Sequence, residues 1–136
     1  MSAAIEVLLV FTAWTLLLAA VYVGYRVGLV LTFKEKANAW TRGAAAHSDP
    51  AWVLRFHHAH LNCLENLPLY AAVVLGAYML GEVSSLDQLA WVYMGARIAQ
   101  SVVHVISTAP MMVFVRGNAW FLQLGILGYW LYGLLA

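Results

Sequence analysis

The sequence predicts an all-helical membrane protein, a bundle of four spanning helices that takes in residues 1–136 as a single domain. Composition supports this fold class, because 64% of the 136 residues are hydrophobic and only 10% are charged. Soluble domains carry about 25% charged residues. The mean hydropathy is +0.80. Four predominantly apolar segments have the ~20 residues or more that a helix needs to cross a bilayer. A net charge of +1 without a basic cluster argues against nucleic acid as a partner.

Polar residues and prolines separate the four predicted spans. We place the spans over residues 5–33, 50–80, 86–108 and from 112 or 119 to 135. The first span lacks the basic start of a signal peptide, so we expect it to be retained. Ser48-Asp49-Pro50 predicts the start of the second helix, as a cap followed by proline at the first helical position. Arg116 is expected in a turn before a short fourth helix.

The distribution of basic residues predicts the orientation in the membrane. Lys34, Lys36 and Arg42 lie in the first connection and Arg116 in the third, whereas the second connection and both ends of the chain contain no lysine or arginine. Connections rich in lysine and arginine stay in the cytosol. We therefore expect both termini outside the cytosol, in a multi-pass protein of a bacterial inner membrane.

Two neighbouring spans each carry a narrow polar stripe. On the second span the stripe consists of Arg55, His58, Asn62 and Glu65. On the third span the same spacing is repeated by Arg97, Gln100, His104 and Ser107. At 100° per residue the four members of each stripe lie within about 80° of one another. The two stripes are therefore expected to face each other inside the bundle.

Charged side chains at this depth need a physical reason. Placing a carboxylate such as Glu65 in the middle of a membrane helix costs roughly 2.5–3.5 kcal/mol. We therefore predict that Glu65 pairs with Arg97, directly or through Gln100, because each charge alone would be buried without a partner. Polar contacts between membrane helices contribute only about 0.6 kcal/mol on average. This favours a ligand site over purely structural contacts, although both interpretations remain open.

The histidines do not form an obvious metal site. The chain contains five in total, and His57 and His60 lie on a different helical face from His58. We expect no metal; a haem between His58 and His104 is geometrically possible but is not favoured. His57 and His60 are expected to contact lipid headgroups or a neighbouring subunit.

The segment from His58 to Tyr70 resembles the second-helix signature of the MAPEG family, the membrane-associated proteins in eicosanoid and glutathione metabolism. Its residues are His-Ala-His-Leu-Asn-Cys-Leu-Glu-Asn-Leu-Pro-Leu-Tyr. The resemblance extends to Ser48-Asp49-Pro50, to Ala96-Arg97 and to Arg116, and so to essentially the whole chain. It implies a four-helix protomer assembled as a homotrimer, with glutathione between protomers near the cytosolic side.

The resemblance also implies roles for individual residues. Asn62 and Glu65 match the asparagine and glutamate that contact glutathione in the family, and Arg97 matches its third-helix arginine. Arg116 is the candidate for the arginine that stabilises the thiolate. Arg55 is added as a peptide-binding residue. The chain departs from the family's pattern at four positions, which are His58 and Leu61 on the second helix and Gln100 and His104 on the third.

Two functions follow as expectations. The first is a glutathione-dependent transferase or peroxidase that acts on a lipophilic electrophile entering from the bilayer. The second is a non-catalytic scaffold or accessory subunit that binds lipid, a quinone-like ligand or another membrane protein. The replaced cations favour the second, because a site with fewer positive charges holds a dianionic tripeptide less well.

Overall fold

The computed structural model describes residues 1–41, 49–107 and 109–136. It contains four long helices, α1 (Ala3–Leu31), α2 (Ala51–Leu80), α3 (Asp87–Ile106) and α4 (Pro110–Leu135), and a short 3-10 helix (Val83–Leu86) before α3. All four segments are long and apolar enough to cross a membrane. The predicted fold class, an all-helical protein with four spans, is confirmed, and this is an integral multi-pass membrane protein.

The helix ends differ from the predicted ones in two places. Ser48 lies outside the described residues, and α2 begins at Ala51 with Pro50 in the capping position and no side-chain cap. The fourth helix begins at Pro110, which occupies the first turn, a position where the missing N–H of proline is not needed. Arg116 therefore lies inside α4 and not in a turn before it, so that prediction was wrong.

One end of the bundle is held by aromatic rings, one from each helix. Tyr70 of α2 lies 6.1 Å from Phe11 of α1, 4.6 Å from Tyr93 of α3 and 5.8 Å from Trp130 of α4, measured between ring centroids. All four residues are buried. The Tyr70 hydroxyl donates a hydrogen bond to the carbonyl of Ala4, at 3.2 Å. We call these four rings the aromatic cluster.

The first helix is also tied to the third at this end. The Asp87 carboxylate accepts hydrogen bonds from the Ser2 hydroxyl, at 2.6 Å, and from the backbone N–H of Ala4, at 2.9 Å. The first N–H groups of a helix have no partner within it. Asp87, which lies 83 positions after Ala4 in the sequence, thus caps the N-terminus of α1.

An ion pair closes the opposite end, near the connection between α1 and α2. Arg26 donates from Nε and Nη2 to Oδ2 of Asp49, at 3.0 and 2.6 Å. The indole N–H of Trp40 donates to the other carboxylate oxygen, at 3.0 Å. The Arg26 guanidinium also lies over the rings of Tyr22 and Trp40. This arrangement attaches the connection to the helices that it joins.

Candidate functional site

A cleft of about 220 Å³ opens between α2, α3 and α4 on the side of the bundle away from the aromatic cluster. Its lining consists of Asn62, Gln100, Val113, Arg116, Gly117 and Trp120. Three predicted site residues, Asn62, Gln100 and Arg116, are therefore brought together. Arg116 is partly buried, and its guanidinium has no hydrogen-bond partner among the described residues.

The position of each polar side chain follows from its helix. Asn62 lies at the margin of the buried face of α2, and Gln100 belongs to the buried face of α3. Arg116 reaches the cleft from the second turn of α4, next to Gly117, whose missing side chain leaves the wall open. A polar pocket is thus formed where three apolar helices diverge.

Gln123 supports the wall of the cleft and was not among the predicted residues. Its amide nitrogen donates to Oε1 of Gln100, at 3.0 Å, and to the carbonyl of Ala119, at 2.8 Å. The side chain is fully buried. Gln123 is the only amide in an otherwise apolar and aromatic stretch of residues 119–136, and that isolation in sequence was the signal that could have identified it.

A second polar contact joins the two stripes. The amide nitrogen of Asn62 lies 3.2 Å from Nδ1 of His104. An amide nitrogen can only donate, so Nδ1 accepts and carries no proton in this arrangement. The ring of His104 lies edge-on to the ring of His58, with 6.1 Å between centroids. His104 is buried and His58 is exposed, so the polar path runs from the core to the protomer surface.

Arg55 lies outside the cleft. Its Nε donates to the carbonyl of Val105, at 2.7 Å. Because α3 ends at Ile106, this carbonyl belongs to the last turn, where no intrahelical partner is available. Arg55 therefore caps the end of α3 and is partly buried there.

The predicted pair between Glu65 and Arg97 is absent, so that prediction was wrong. Arg97 is fully buried, with Nη1 donating to the carbonyl of Asn62, at 3.1 Å, and its guanidinium over the ring of Phe11. Nε and Nη2 of Arg97 have no partner among the described residues. Glu65 is exposed on the protomer surface. Gln100, the alternative link, bonds to Gln123 instead.

Helix geometry explains the failure. The buried face of α2 is formed by Ala59, Cys63, Asn66 and Tyr70. At 100° per residue, Asn62 lies about 70° from the centre of this face and Glu65 about 130° from it. A stripe about 80° wide was therefore correctly identified, but its far edge faces away from the protomer core. Arg97 points into that core, towards α1.

The two remaining histidines of α2 also differ from expectation. His60 places Nδ1 3.0 Å from the carbonyl of Thr15, and the ring of His57 lies 4.6 Å from that of Tyr22. Both contact α1 of the same chain, a packing role that the sequence did not predict, and the expected contacts with headgroups or a neighbouring subunit stay a prediction. Their ring contacts help to fix α2 against α1.

The comparison with protein families agrees with this architecture. The MAPEG family model matches residues 4–136, nearly the whole chain. The chain belongs to the MAPEG family. No curated protein matches it.

In this MAPEG protein the cleft offers one cation and several neutral hydrogen-bonding groups. Arg116 is the single guanidinium lining it in the part of the chain that the structure describes. A guanidinium can bind a carboxylate in a bidentate manner or stabilise a thiolate. Asn62 and Gln100 can hydrogen-bond to peptide groups. The volume of about 220 Å³ is below the ~300–1,000 Å³ of ordinary ligand sites.

Proposed function

We propose that this MAPEG protein is a glutathione-dependent transferase or peroxidase that acts on lipophilic electrophiles. The observation that carries the proposal is the cleft in which Arg116, with no hydrogen-bond partner among the described residues, lies beside Asn62 and Gln100. A cation next to a thiol favours the thiolate, which is the nucleophilic form. In the transferase reaction the thiolate sulfur bonds to the electrophilic atom, and a leaving group departs or a double bond takes up a proton.

The proposed roles follow the position of each residue. Arg116 stabilises the thiolate, while Asn62 and Gln100 hold the peptide. Glu65, on the protomer surface, receives the glutathione amine. His58 supplies a hydrogen-bonding group where the polar path reaches the surface. Arg97 and His104 act indirectly, through their contacts with Asn62.

Assembly as a homotrimer is part of the proposal. The small cleft and the exposed carboxylate of Glu65, within a spanning helix, both favour a second protomer against this face. A charge in a spanning segment is favourable only when it faces protein or water. We propose that the site lies near the cytosolic side of a bacterial inner membrane, with both termini on the other side, and that substrate enters from the lipid.

An equilibrium glutathione titration of the purified protein in lipid nanodiscs tests the proposal. The expected result is saturable binding, at least tenfold weaker in Arg116→Ala and unchanged in Lys34→Ala, an exposed cation outside the cleft. Conjugation of a lipophilic aryl halide and reduction of a lipid hydroperoxide then distinguish the two reactions. Absence of saturable binding at millimolar glutathione would refute both.

A specific observation favours a second candidate, the non-catalytic scaffold or accessory subunit. Arg55 and Arg97 both donate to backbone carbonyls, so they are engaged away from the cleft. Glutathione carries two carboxylates, and Arg116 alone cannot bind both of them and the thiolate. Under this alternative the protein purifies with a membrane-protein partner at fixed stoichiometry and does not bind glutathione.

A further inference from the structure

A second cleft lies at the other end of the bundle, where α2 ends and α4 completes its last turns. Its volume is about 520 Å³, and its lining includes Glu82, Ser85, Tyr129, Tyr132 and Gly133. Along α4, Tyr132 lies sixteen residues beyond Arg116, which corresponds to about 24 Å of helix. The two clefts are therefore separate, and the second is within the ~300–1,000 Å³ range of small-ligand sites.

The electrostatics of this cleft favour a cation. Glu82 is exposed, and no ion pair to it occurs among the described residues. It follows Gly81, the C-terminal cap of α2, and the last turn of that helix contains no basic residue. The C-terminal end of a helix carries partial negative charge. The Glu82 carboxylate thus supplies the negative charge of the cleft and lies next to this helix end.

The Ser85 hydroxyl in this cleft is arranged to accept hydrogen bonds. The Ser85 hydroxyl donates its proton to the carbonyl of Glu82, at 2.7 Å. Its oxygen lone pairs therefore remain available as acceptors. An occupant that donates several hydrogen bonds fits this side of the cleft better than one that accepts them.

Two tyrosine rings form the opposite side. Tyr129 is 66% exposed and Tyr132 is 75% exposed, which is high for rings in a structured helix. The faces of aromatic rings attract ammonium groups, and this attraction is the usual basis for recognition of headgroup-like cations. Tyrosine is also enriched where spanning helices meet the membrane surface, which places the cleft at headgroup level.

We propose that this cleft binds a primary alkylammonium group, supplied by the headgroup of an aminophospholipid such as phosphatidylethanolamine. Glu82 and the Ser85 hydroxyl accept hydrogen bonds from the ammonium, and Tyr129 and Tyr132 contact it with their rings. Lipids that are anionic and lack an amine are repelled by Glu82. The proposal does not depend on the glutathione reaction, because it concerns a site at the other end of the molecule.

Native mass spectrometry of the full-length protein, with phosphatidylethanolamine or phosphatidylglycerol added at equal concentration, tests the proposal. We expect the ethanolamine lipid to be retained and Glu82→Gln to reduce that retention about tenfold, with the glycerol lipid unaffected. Glu6→Gln is the matched control, since Glu6 is an exposed carboxylate at the same end but outside the cleft. Tyr132→Leu should weaken retention severalfold and Tyr132→Phe should not.

Competition separates the two sources of the ammonium group. If soluble ethanolamine displaces the lipid at millimolar concentration, the cleft recognises the amine from either source; if it does not, the lipid chains contribute to binding. Equal retention of both lipids, or equal loss in Glu82→Gln and Glu6→Gln, overturns the proposal. Each variant is first required to give the size-exclusion profile of the wild type. If one variant folds poorly, the comparison of Tyr132→Leu with Tyr132→Phe still decides the test.

Discussion

The two ends of the four-helix bundle are held together by different physics. Near the connection between α2 and α3, the aromatic cluster packs four rings against one another. Towards the other end, α2, α3 and α4 meet through amides, histidines and arginines around a cleft. Packed rings serve stability. Polar groups in a membrane add little stability, and their concentration around an open cleft supports the binding function that we propose.

The largest effect should come from the aromatic cluster. Tyr70→Ala removes the ring that contacts the other three and should lower the free energy of unfolding by about 3 kcal/mol. Tyr70→Phe keeps the ring and loses only the hydrogen bond to Ala4, at about 1 kcal/mol. Reversible unfolding in mixed micelles measures both. A similar loss in the two variants would show that the hydroxyl, not ring packing, holds this end together.

The ion pair between Arg26 and Asp49 should give the next largest effect. It lies beside what we call the polar half of the bundle, the part around the cleft lined by Asn62, Gln100 and Arg116. Asp49 is nearly fully buried and accepts from both Arg26 and Trp40. A double-mutant cycle of Arg26→Gln and Asp49→Asn should give a coupling energy of about 2 kcal/mol, because hydrogen bonds between charged groups are strong when partly buried. Coupling near zero would mean that the ordered aromatic end alone carries the stability of the bundle.

A smaller effect is expected where the wall of the cleft is supported. Gln123→Leu removes the donor to Gln100 and leaves the buried Oε1 of Gln100 without a partner, at about 1–2 kcal/mol. If the polar half binds glutathione, the same change should weaken binding severalfold, because Gln100 is then free to move. The titration and the unfolding measurement are made on one preparation. Weaker binding with unchanged stability would separate the two roles of this end.

Sequence reasoning succeeded where hydrophobic patterning decides the outcome. The four spans were placed within a few residues of the observed helices, if the earlier of the two predicted starts of the fourth span is taken, because length and apolar content determine which segments cross a bilayer. The stripes on α2 and α3 were also real, since Asn62 and His104 meet across them. The matching spacing predicted that the two stripes face each other, but not which residues would meet.

The contacts that sequence missed depend on how the helices are rotated. A difference of about 60° around α2 separates Asn62, at the margin of the core, from Glu65, on the surface. Periodicity identifies a stripe but not which edge of it faces the neighbouring helix. The link between Arg26 and Asp49 joins a spanning helix to a connection, and no helical spacing relates the two residues. Gln123 was passed over because a single amide forms no stripe.

The smallest expected effect concerns Arg97, the charge that the polar half places closest to the aromatic cluster. Two of its nitrogens have no hydrogen-bond partner among the described residues, and Nη1 donates to the carbonyl of Asn62. Replacing an incompletely paired buried ion with an apolar side chain of similar length is often neutral or stabilising. Arg97→Met should therefore change the free energy of unfolding by less than about 1 kcal/mol, whereas Arg97→Ala should destabilise by leaving a cavity.

Unfolding of the purified protein distinguishes this from the pairing that the sequence predicted. A large loss in Arg97→Met, abolished when Glu65→Gln is added, would show that the carboxylate reaches the guanidinium once protomers assemble. That result would extend the polar half across the protomer boundary. A neutral Arg97→Met, with glutathione binding retained, would instead assign Arg97 to the aromatic end, where its guanidinium lies over the ring of Phe11.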